Sequence, residues 1–365
     1  MNKKKNNLYG IKKIESKYEG RKNYTPPQMN AECCRLNLNE NLFGPSPKCL
    51  EVLKDITIND LCLYSLEEDD DLVNTIAFNL NIKKENVLLH NGSSEMIRMI
   101  FEMILDANDR ILLPDPGWSY YSGIANINKY SISTYNVDEG KEAYSLDIDK
   151  LNAKIEEVNP SIVVITTPNM PTGNSINQEQ LQKILCKFSE QIFIIDEAYW
   201  GYSEEKIQVS EIISKYSNVV FVRTFSKFYG LANERIGFCV SNSKLASILQ
   251  LDQPLFKLSY ISRQIAKAAI EDKEYYNYIK KTVIEEREHF IEEMNKIKDV
   301  TAFKSDSNFV YVKIKGKNVE GIQKKLQEQG YLIRMFKFND NCCVRVTIYN
   351  RQVMNYVIQA FREYM

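Results

Sequence analysis

Histidine is scarce in this chain. Only two occur in 365 residues, His90 and His289. A histidine-based metal site and a Ser–His–Asp triad are therefore not expected, and acid–base chemistry falls to Lys, Tyr, Asp and Glu. Long apolar runs are also lacking, so no bilayer span is expected. The basic start MNKKKNNLYG is not followed by an apolar stretch, which argues against a secretory signal and for the cytoplasm. No Cys-x-x-Cys spacing occurs among the eight cysteines, and free buried thiols in a reducing compartment are expected. Excess charge of either sign is missing too. Forty-seven Lys and Arg face 48 Asp and Glu, a net charge of -1, and this balance gives no reason to expect nucleic acid or a membrane as partner.

What is present is an alternation of strand and helix signals. Short apolar strand candidates stand at 86–90, 110–116, 131–137, 161–169, 192–199, 219–226 and 235–241. Helical stripes lie between them, as with Ile97, Ile100, Phe101 and Ile104, and with Leu181, Ile184, Leu185 and Phe188. Such alternation predicts an α/β fold: a large three-layer domain with a mostly parallel mixed sheet flanked by helices. After Pro254 the pattern changes to a long helical stretch over about 260–296, strands NFVYVKI and CCVRVTIY, and a helix at 318–329. This predicts a smaller, separate α+β piece that closes the chain; that both chain ends form this domain is what the resemblance carried by the motifs below implies. The expected boundaries are a polar N-terminal arm over 1–30, the N-terminal part of the small domain over 31–62, a large domain over 63–253 and the C-terminal small domain over 254–365. Arg35 and Tyr9 either line a substrate entrance or lie on the surface, and surface is the simpler reading.

Several chemically capable residues fall at strand ends, where open α/β sheets place ligands. HNGSSE puts a tight Asn-Gly turn before a helix start at Ser93 and Ser94. That is either an anion site or an ordinary N-cap. Trp118, in PDPGWSYY, is either core or a flat face for an aromatic ligand. Asp196 ends a wholly apolar strand before Glu197, Ala198 and Tyr199. Burying it requires a cationic partner, either a protonated pyridine nitrogen or an Arg or Lys. Lys227 then follows Thr224 and Ser226, with Arg235 eight positions further on. A lysine with a depressed pKa can condense with an aldehyde, and Thr224, Ser226 and Arg235 can hold a phosphate dianion. Taken in order, these are the parts that pyridoxal 5'-phosphate (PLP) needs: an anion cradle, a stacking face, an acid for the ring nitrogen and an amine for the aldehyde.

Over residues 33 to 360 the chain resembles the fold-type-I PLP enzymes, and most closely their histidinol-phosphate aminotransferase branch. The resemblance is carried by LNLNENLFGPSP, NGSSE, TTPNMPTGN, DEAY, SKFYGLANERIG and RVTIYN. It implies that Lys227 carries the cofactor and shuttles the proton. Asp196 would pair with the pyridine nitrogen, Tyr199 with the ring hydroxyl, and Trp118 would stack on the ring. Ser93, Ser94, Thr224, Ser226 and Arg235 would hold its phosphate. Tyr64 matches a tyrosine that reaches into a neighbouring subunit's site, so a homodimer with shared active sites is implied. Arg345 matches the substrate-anion arginine, Arg334 a second arginine of phosphate-substrate members, and Asn39 a substrate contact. No metal is implied.

The chain also departs from the pattern. Met170 stands where the family has the Asn that bonds the ring oxygen, leaving that bond to Tyr199 alone or to Asn169. Ser65 follows Tyr64 in place of Pro, Asn233 and Glu234 stand in place of Gly and Leu before Arg235, and IYN stands in place of Val-Gly-Thr after Arg345. These departures bear on the substrate more than on the cofactor. The implied activity is transamination from an amino donor, glutamate fitting best, to a small phosphorylated ketone or aldehyde. The rivals are a decarboxylase of a phosphorylated amino acid, of the threonine- or serine-phosphate type, and a non-catalytic binding module that keeps only the fold.

Overall fold

The computed structural model of the chain describes residues 10–19, 33–64, 71–204, 206–315, 319–338 and 341–365. Tyr9 and most of the expected arm lie outside these residues. Met1–Cys33 and Cys34–Met365 form separate compact units. The described part of the first is a short helix, α1 (Ile11–Tyr18), that starts at Gly10.

In the second unit β1 (Cys34–Leu36) leads to three small helices, α2 (Lys48–Glu51), α3 (Ile58–Cys62) and α4 (Asp71–Leu80). The alternating region follows: β2 (Val87–His90), α5 (Gly92–Ile104), β3 (Arg110–Asp115), α6 (Ser119–Asn128) and β4 (Ser131–Asn136). A two-stranded ribbon, β5 (Asp138–Glu139) and β6 (Tyr144–Ser145), precedes α7 (Ile148–Val158), β7 (Ile162–Thr166), α8 (Gln178–Leu185) and β8 (Ile192–Asp196). Then come α9 (Val209–Lys215), β9 (Val219–Thr224), β10 (Gly237–Ser241) and α10 (Ser243–Leu249).

Seven of these strands form one sheet in the order β2-β10-β9-β8-β7-β3-β4. The neighbours from β9 through β4 are parallel, whereas β10 runs antiparallel to both β9 and β2. The middle strands are buried on both faces, which is why they read as unbroken apolar runs. Alternate residues feed two cores. Val163, Ile165, Phe193, Ile195 and Phe221 join the core that carries α7, α8 and α9, and Ile162, Val164, Ile194, Val220 and Val222 join the one that carries α5 and α6. The result is the expected three layers. Parallel strands also put the C-terminal ends of β7, β8 and β9 side by side, with Thr166 opposite Asp196 and Asp196 opposite Val222.

The rest of the unit is α11 (Tyr260–Glu271), α12 (Lys273–Met294), β11 (Val300–Ala302), β12 (Phe309–Lys315), α13 (Val319–Glu328), β13 (Tyr331–Phe338), β14 (Asn341–Thr347) and α14 (Arg351–Tyr364). The smaller sheet has the order β1-β13-β14-β12-β11. β1 pairs in parallel with β13, so both chain ends build it, as expected.

Three details differ from the sequence reading. The helical stretch over 260–296 is two helices broken at Asp272, where the backbone leaves the helical region (φ -87, ψ 63). The Asp272 carboxylate ties this corner to the N-terminal segment, accepting from Ser46 Oγ and from Lys48 Nζ. Strands β1 and β13 were not foreseen. Only Cys49, Cys239 and Cys343 of the free cysteines are buried; Cys62 and Cys186 are exposed. No described helix is long and apolar enough to cross a membrane.

Candidate active site

The loop after β9 brings the chemistry together. Thr224 ends the strand, and its Oγ1 accepts from the Ser226 backbone N–H at 3.1 Å, which turns the chain so that Lys227 follows at once. The Lys227 Nζ donates to the Leu38 carbonyl at 2.8 Å and lies 6.0 Å from the centre of the Tyr199 ring. Burial pulls its pKa down to about 8, and the positive charges of Arg345 and Arg235 act in the same direction, against Glu40. This amine is therefore poised to be neutral far closer to pH 7 than a surface lysine.

Asp196, at the end of β8, is 2% exposed. Its Oδ2 accepts from the Tyr121 hydroxyl at 2.5 Å and its Oδ1 from the Ala198 N–H at 3.0 Å. Both donors are neutral, and no described cation forms an ion pair with it. Burial raises its pKa to about 6, Tyr121 and the Ala198 N–H oppose that, and the neighbouring Glu197 charge adds to it. Of the two carboxylates in Asp-Glu-Ala-Tyr, it is Glu197 that takes the arginine: its Oε2 accepts from Arg223 Nε at 2.7 Å. The choice left open for Asp196, an in-chain cation or an external one, falls toward an external one.

Tyr121 was not foreseen as a site residue. Its signal was present in GWSYY: three positions after Trp118, it sits on the buried face of α6 and is 1% exposed. Trp118 meets it edge-on with ring centres 5.4 Å apart and stacks on Tyr120 at 4.7 Å. The indole thus stands beside the residue that holds Asp196 and is half-buried.

The helix start of α5 and the loop through Arg235 lie against one another. Arg235 has a positive φ of 53. Its Nη1 donates to Ser226 Oγ at 3.3 Å and to the Ala232 carbonyl at 3.0 Å. A Cβ on Gly92 would lie 2.6 Å from Arg235 Nη2, and one on Gly237 would lie 2.4 Å from the Ser93 backbone nitrogen. Glycine is thus required at both positions for the guanidinium and the first N–H groups of α5 to come this close. Ser93 is buried and Ser94 half-buried on the first turn, and no side chain caps this helix start. Free helix N–H groups, two hydroxyls and a guanidinium are a set that can serve as an oxyanion cradle.

Tyr199 accepts a hydrogen bond from Asn39 Nδ2 at 3.0 Å. Asn39 is fully buried, with a φ of 57, and its Oδ1 accepts from Thr347 Oγ1 at 3.3 Å. Because Asn39 donates, the Tyr199 hydroxyl keeps its own proton to give. Asn169 spends its amide donors on the Pro116 carbonyl at 3.0 Å and on Thr172 Oγ1 at 2.7 Å. Both amide hydrogens of Asn169 are thus engaged within the protein. Met170 itself lies against Arg345, whose Nη1 is 2.8 Å from the thioether sulfur and whose Nη2 donates to the Asn37 carbonyl at 2.6 Å.

Arg345 and Arg334 are direct partners across β14 and β13. Directly opposed residues share a face of the sheet, and like charges so placed repel unless an anion lies between them. Arg345 is buried, whereas Arg334 is exposed and lies 5.9 Å from the Phe336 ring. Tyr64 stands apart from the cluster, 77% exposed and stacked on Phe256 at 4.2 Å. Arg35 is half-exposed and pairs with Glu40 at 2.8 Å. Among the described residues no group of His, Cys, Asp and Glu could hold a metal ion.

This donor set fits a phosphorylated pyridine aldehyde. The buried carboxylate lacks a cationic partner, the cradle sits where a Cβ would block it, and the amine is depressed in pKa. Comparison with known proteins agrees. The family model "Aminotransferase class I and II" matches residues 31–361. A histidinol-phosphate aminotransferase of Archaeoglobus fulgidus is 32% identical over 335 residues, 91% of this chain and 93% of that protein. The crystal structure of the histidinol-phosphate aminotransferase of Clostridium acetobutylicum superposes with a TM-score of 0.81 at 25% identity, covering 90% of this chain and 98% of that one. The Sinorhizobium meliloti enzyme of the same name, solved in complex with pyridoxal-5'-phosphate, shares the fold with a TM-score of 0.81 at 23% identity, covering 98% and 94%. The chain belongs to the class I and II aminotransferases, a PLP-dependent family, and within them it is most like the histidinol-phosphate aminotransferases.

Proposed function

We propose that the protein is a PLP-dependent aminotransferase that moves an amino group from glutamate to a small phosphorylated ketone or aldehyde. The observation that carries this reading is the pairing of a buried, cation-free Asp196 with a Lys227 amine whose pKa is drawn down to about 8. When bound, the cofactor supplies an electron sink for the bond broken at the substrate's α-carbon. Asp196, kept charged by Tyr121 and the Ala198 N–H, would pair with the protonated ring nitrogen. Tyr199 would donate to the ring oxygen, with Asn39 fixing the direction of that hydroxyl. Ser93, Ser94, Thr224, Ser226 and Arg235 would hold the phosphate, and Trp118 would offer a face to the ring. Lys227 would hold the aldehyde carbon and serve as the base that moves the α-proton.

Arg345 and Arg334 support an acceptor with two anionic ends, one taken by the buried guanidinium and one by the exposed one. Tyr64 supports a homodimer with shared sites. It stands on a surface that also exposes Ile58, Leu61 and Leu63, and grouped apolar residues of this kind mark association surfaces. Asn39 aligns Tyr199 and would also make the substrate contact that the resemblance implies.

The test is to incubate the pure protein with glutamate and a panel of phosphorylated ketones and aldehydes, following 2-oxoglutarate formation and the cofactor's absorbance. Amino transfer that needs both partners is the expected result. CO2 release from a phosphorylated amino acid, with no accumulation of the aminated cofactor, would replace this reading by the decarboxylase. A colourless protein that gains no absorbance on adding cofactor would replace both by the binding module.

A further inference from the structure

Neighbouring residues in an extended chain face opposite ways. Thr224 faces the phosphate cradle, and Arg223 beside it does not. Arg223 faces a second cavity of about 400 Å³, which Glu197 and Phe228, the chain neighbours of Asp196 and Lys227, also line. Arg223 is only 5% exposed. One of its nitrogens, Nε, serves Glu197, and its guanidinium lies 4.3 Å over the Trp200 ring. Its two terminal nitrogens donate to no described residue, so a buried cation faces this cavity with its outer edge unused.

The rest of the wall has two characters. Ile76, Leu80, Phe238 and Ile270 give an apolar side. Lys206, Lys273 and Lys280 add three more cations. None of the three forms an ion pair with a described carboxylate, and Glu197 is the one acidic residue among the described residues of the lining. Lys280 Nζ donates to the Ser203 carbonyl. Burial lowers its pKa, the Lys206 charge pushes the same way, and Glu204 resists. Lys206 and Lys280 therefore stand close enough to repel one another. A helper anion would relieve that repulsion and satisfy the free edge of Arg223.

We propose that this cavity is a second ligand site, which takes a small carboxylate with a flat apolar body. The carboxylate meets the Arg223 fork and the lysine rim, and the ring lies along Trp200 and Phe238. The site is separate from the one that Lys227 serves, and it does not depend on the reaction proposed above. Its contact with the catalytic elements is direct, since a Cβ on Gly201 would lie 2.2 Å from the Phe228 ring. The loop after Trp200 and the loop after Lys227 are packed without slack, and an occupant pressing on Phe228 presses on the chain that carries Lys227.

The probe is 2-naphthoate, titrated calorimetrically into the cofactor-loaded protein. One equivalent is expected to bind. Affinity should fall at least tenfold in Arg223→Gln, and several-fold in the surface double variant Lys206→Glu/Lys273→Glu, which leaves the buried Glu197–Arg223 pair intact. The chain has two tryptophans, and in Trp118→Phe the remaining one, Trp200, should still be quenched on binding. Absence of binding at millimolar probe would overturn the proposal. Equal affinity in the wild type and the charge-reversed double variant would also overturn it, as would loss of the probe when amino-acid substrate is added, which would place the naphthoate in the catalytic site.

Discussion

Two ionisable side chains, Asp196 and Lys227, are displaced toward neutrality by the same cause. Burial raises the acid to about 6 and lowers the base to about 8. For Lys227 the consequence for stability has a definite sign. In the unfolded chain it would titrate near its ordinary value, so between about pH 8 and about pH 10.4 the unfolded state binds the extra proton and the fold gains stability as pH rises. Without cofactor, Lys227→Met should therefore be more stable than the wild type at pH 7, by up to ~3 kcal/mol, and the gap should close by about pH 10 to 11. Urea denaturation at the two pH values measures this. For Asp196 the residue to change is Tyr121. Its hydrogen bond favours the charged carboxylate, so Tyr121→Phe should move the acid limb of the kcat profile to higher pH. A hydrogen bond to a charged group is worth about 1.5–3 kcal/mol, enough to carry the acid from about 6 to about 7 or 8, so kcat should fall roughly 2- to 10-fold at about pH 7 and by roughly 10- to 100-fold well below about pH 6.

At the scale of elements, the site depends on how α5, β9 and β10 meet. Gly92 opens α5 with a φ of 82, and Gly237 opens β10 opposite His90. Gly92→Ala adds a methyl where the Arg235 guanidinium lies and imposes a backbone conformation that alanine resists. The protein should still fold, but its affinity for PLP should fall by about tenfold, ~1.4 kcal/mol, in an equilibrium titration. The central strands were legible in the sequence because burial on both faces leaves an unbroken apolar run, and each of the seven expected strands is found. The breaks were harder to read. The corner at Asp272 depends on bonds to Ser46 and Lys48, far away in the chain, and β1 is a strand only because β13 lies beside it. Tyr121 was missed for a similar reason: nothing local in GWSYY reveals that its hydroxyl meets a carboxylate 75 positions on. Motif residues were legible because their spacing is set by the strand–loop geometry itself, as with Thr224, Ser226, Lys227 and Arg235.

On the scale of the whole molecule, the small sheet brings both ends of the chain to the catalytic cluster. Asn39 and Arg345 come from opposite ends, yet Asn39 bonds Tyr199 and Thr347, and Arg345 bonds the Asn37 carbonyl. The surface around Tyr64 is the remaining requirement. If it joins two copies, Leu61→Asp, which adds a charge to an exposed apolar site, should shift the protein from dimer to monomer in sedimentation. Activity should fall with it, while the far-ultraviolet circular dichroism stays unchanged. A wild type that sediments as a monomer at micromolar concentration would remove the shared-site element and leave the cofactor assignment standing. That assignment is tested most directly by reducing the loaded protein with borohydride and mapping the adduct by peptide mass spectrometry. The account predicts a single pyridoxyl group on the peptide that contains Lys227; a modified lysine elsewhere, or no adduct at all, would contradict it.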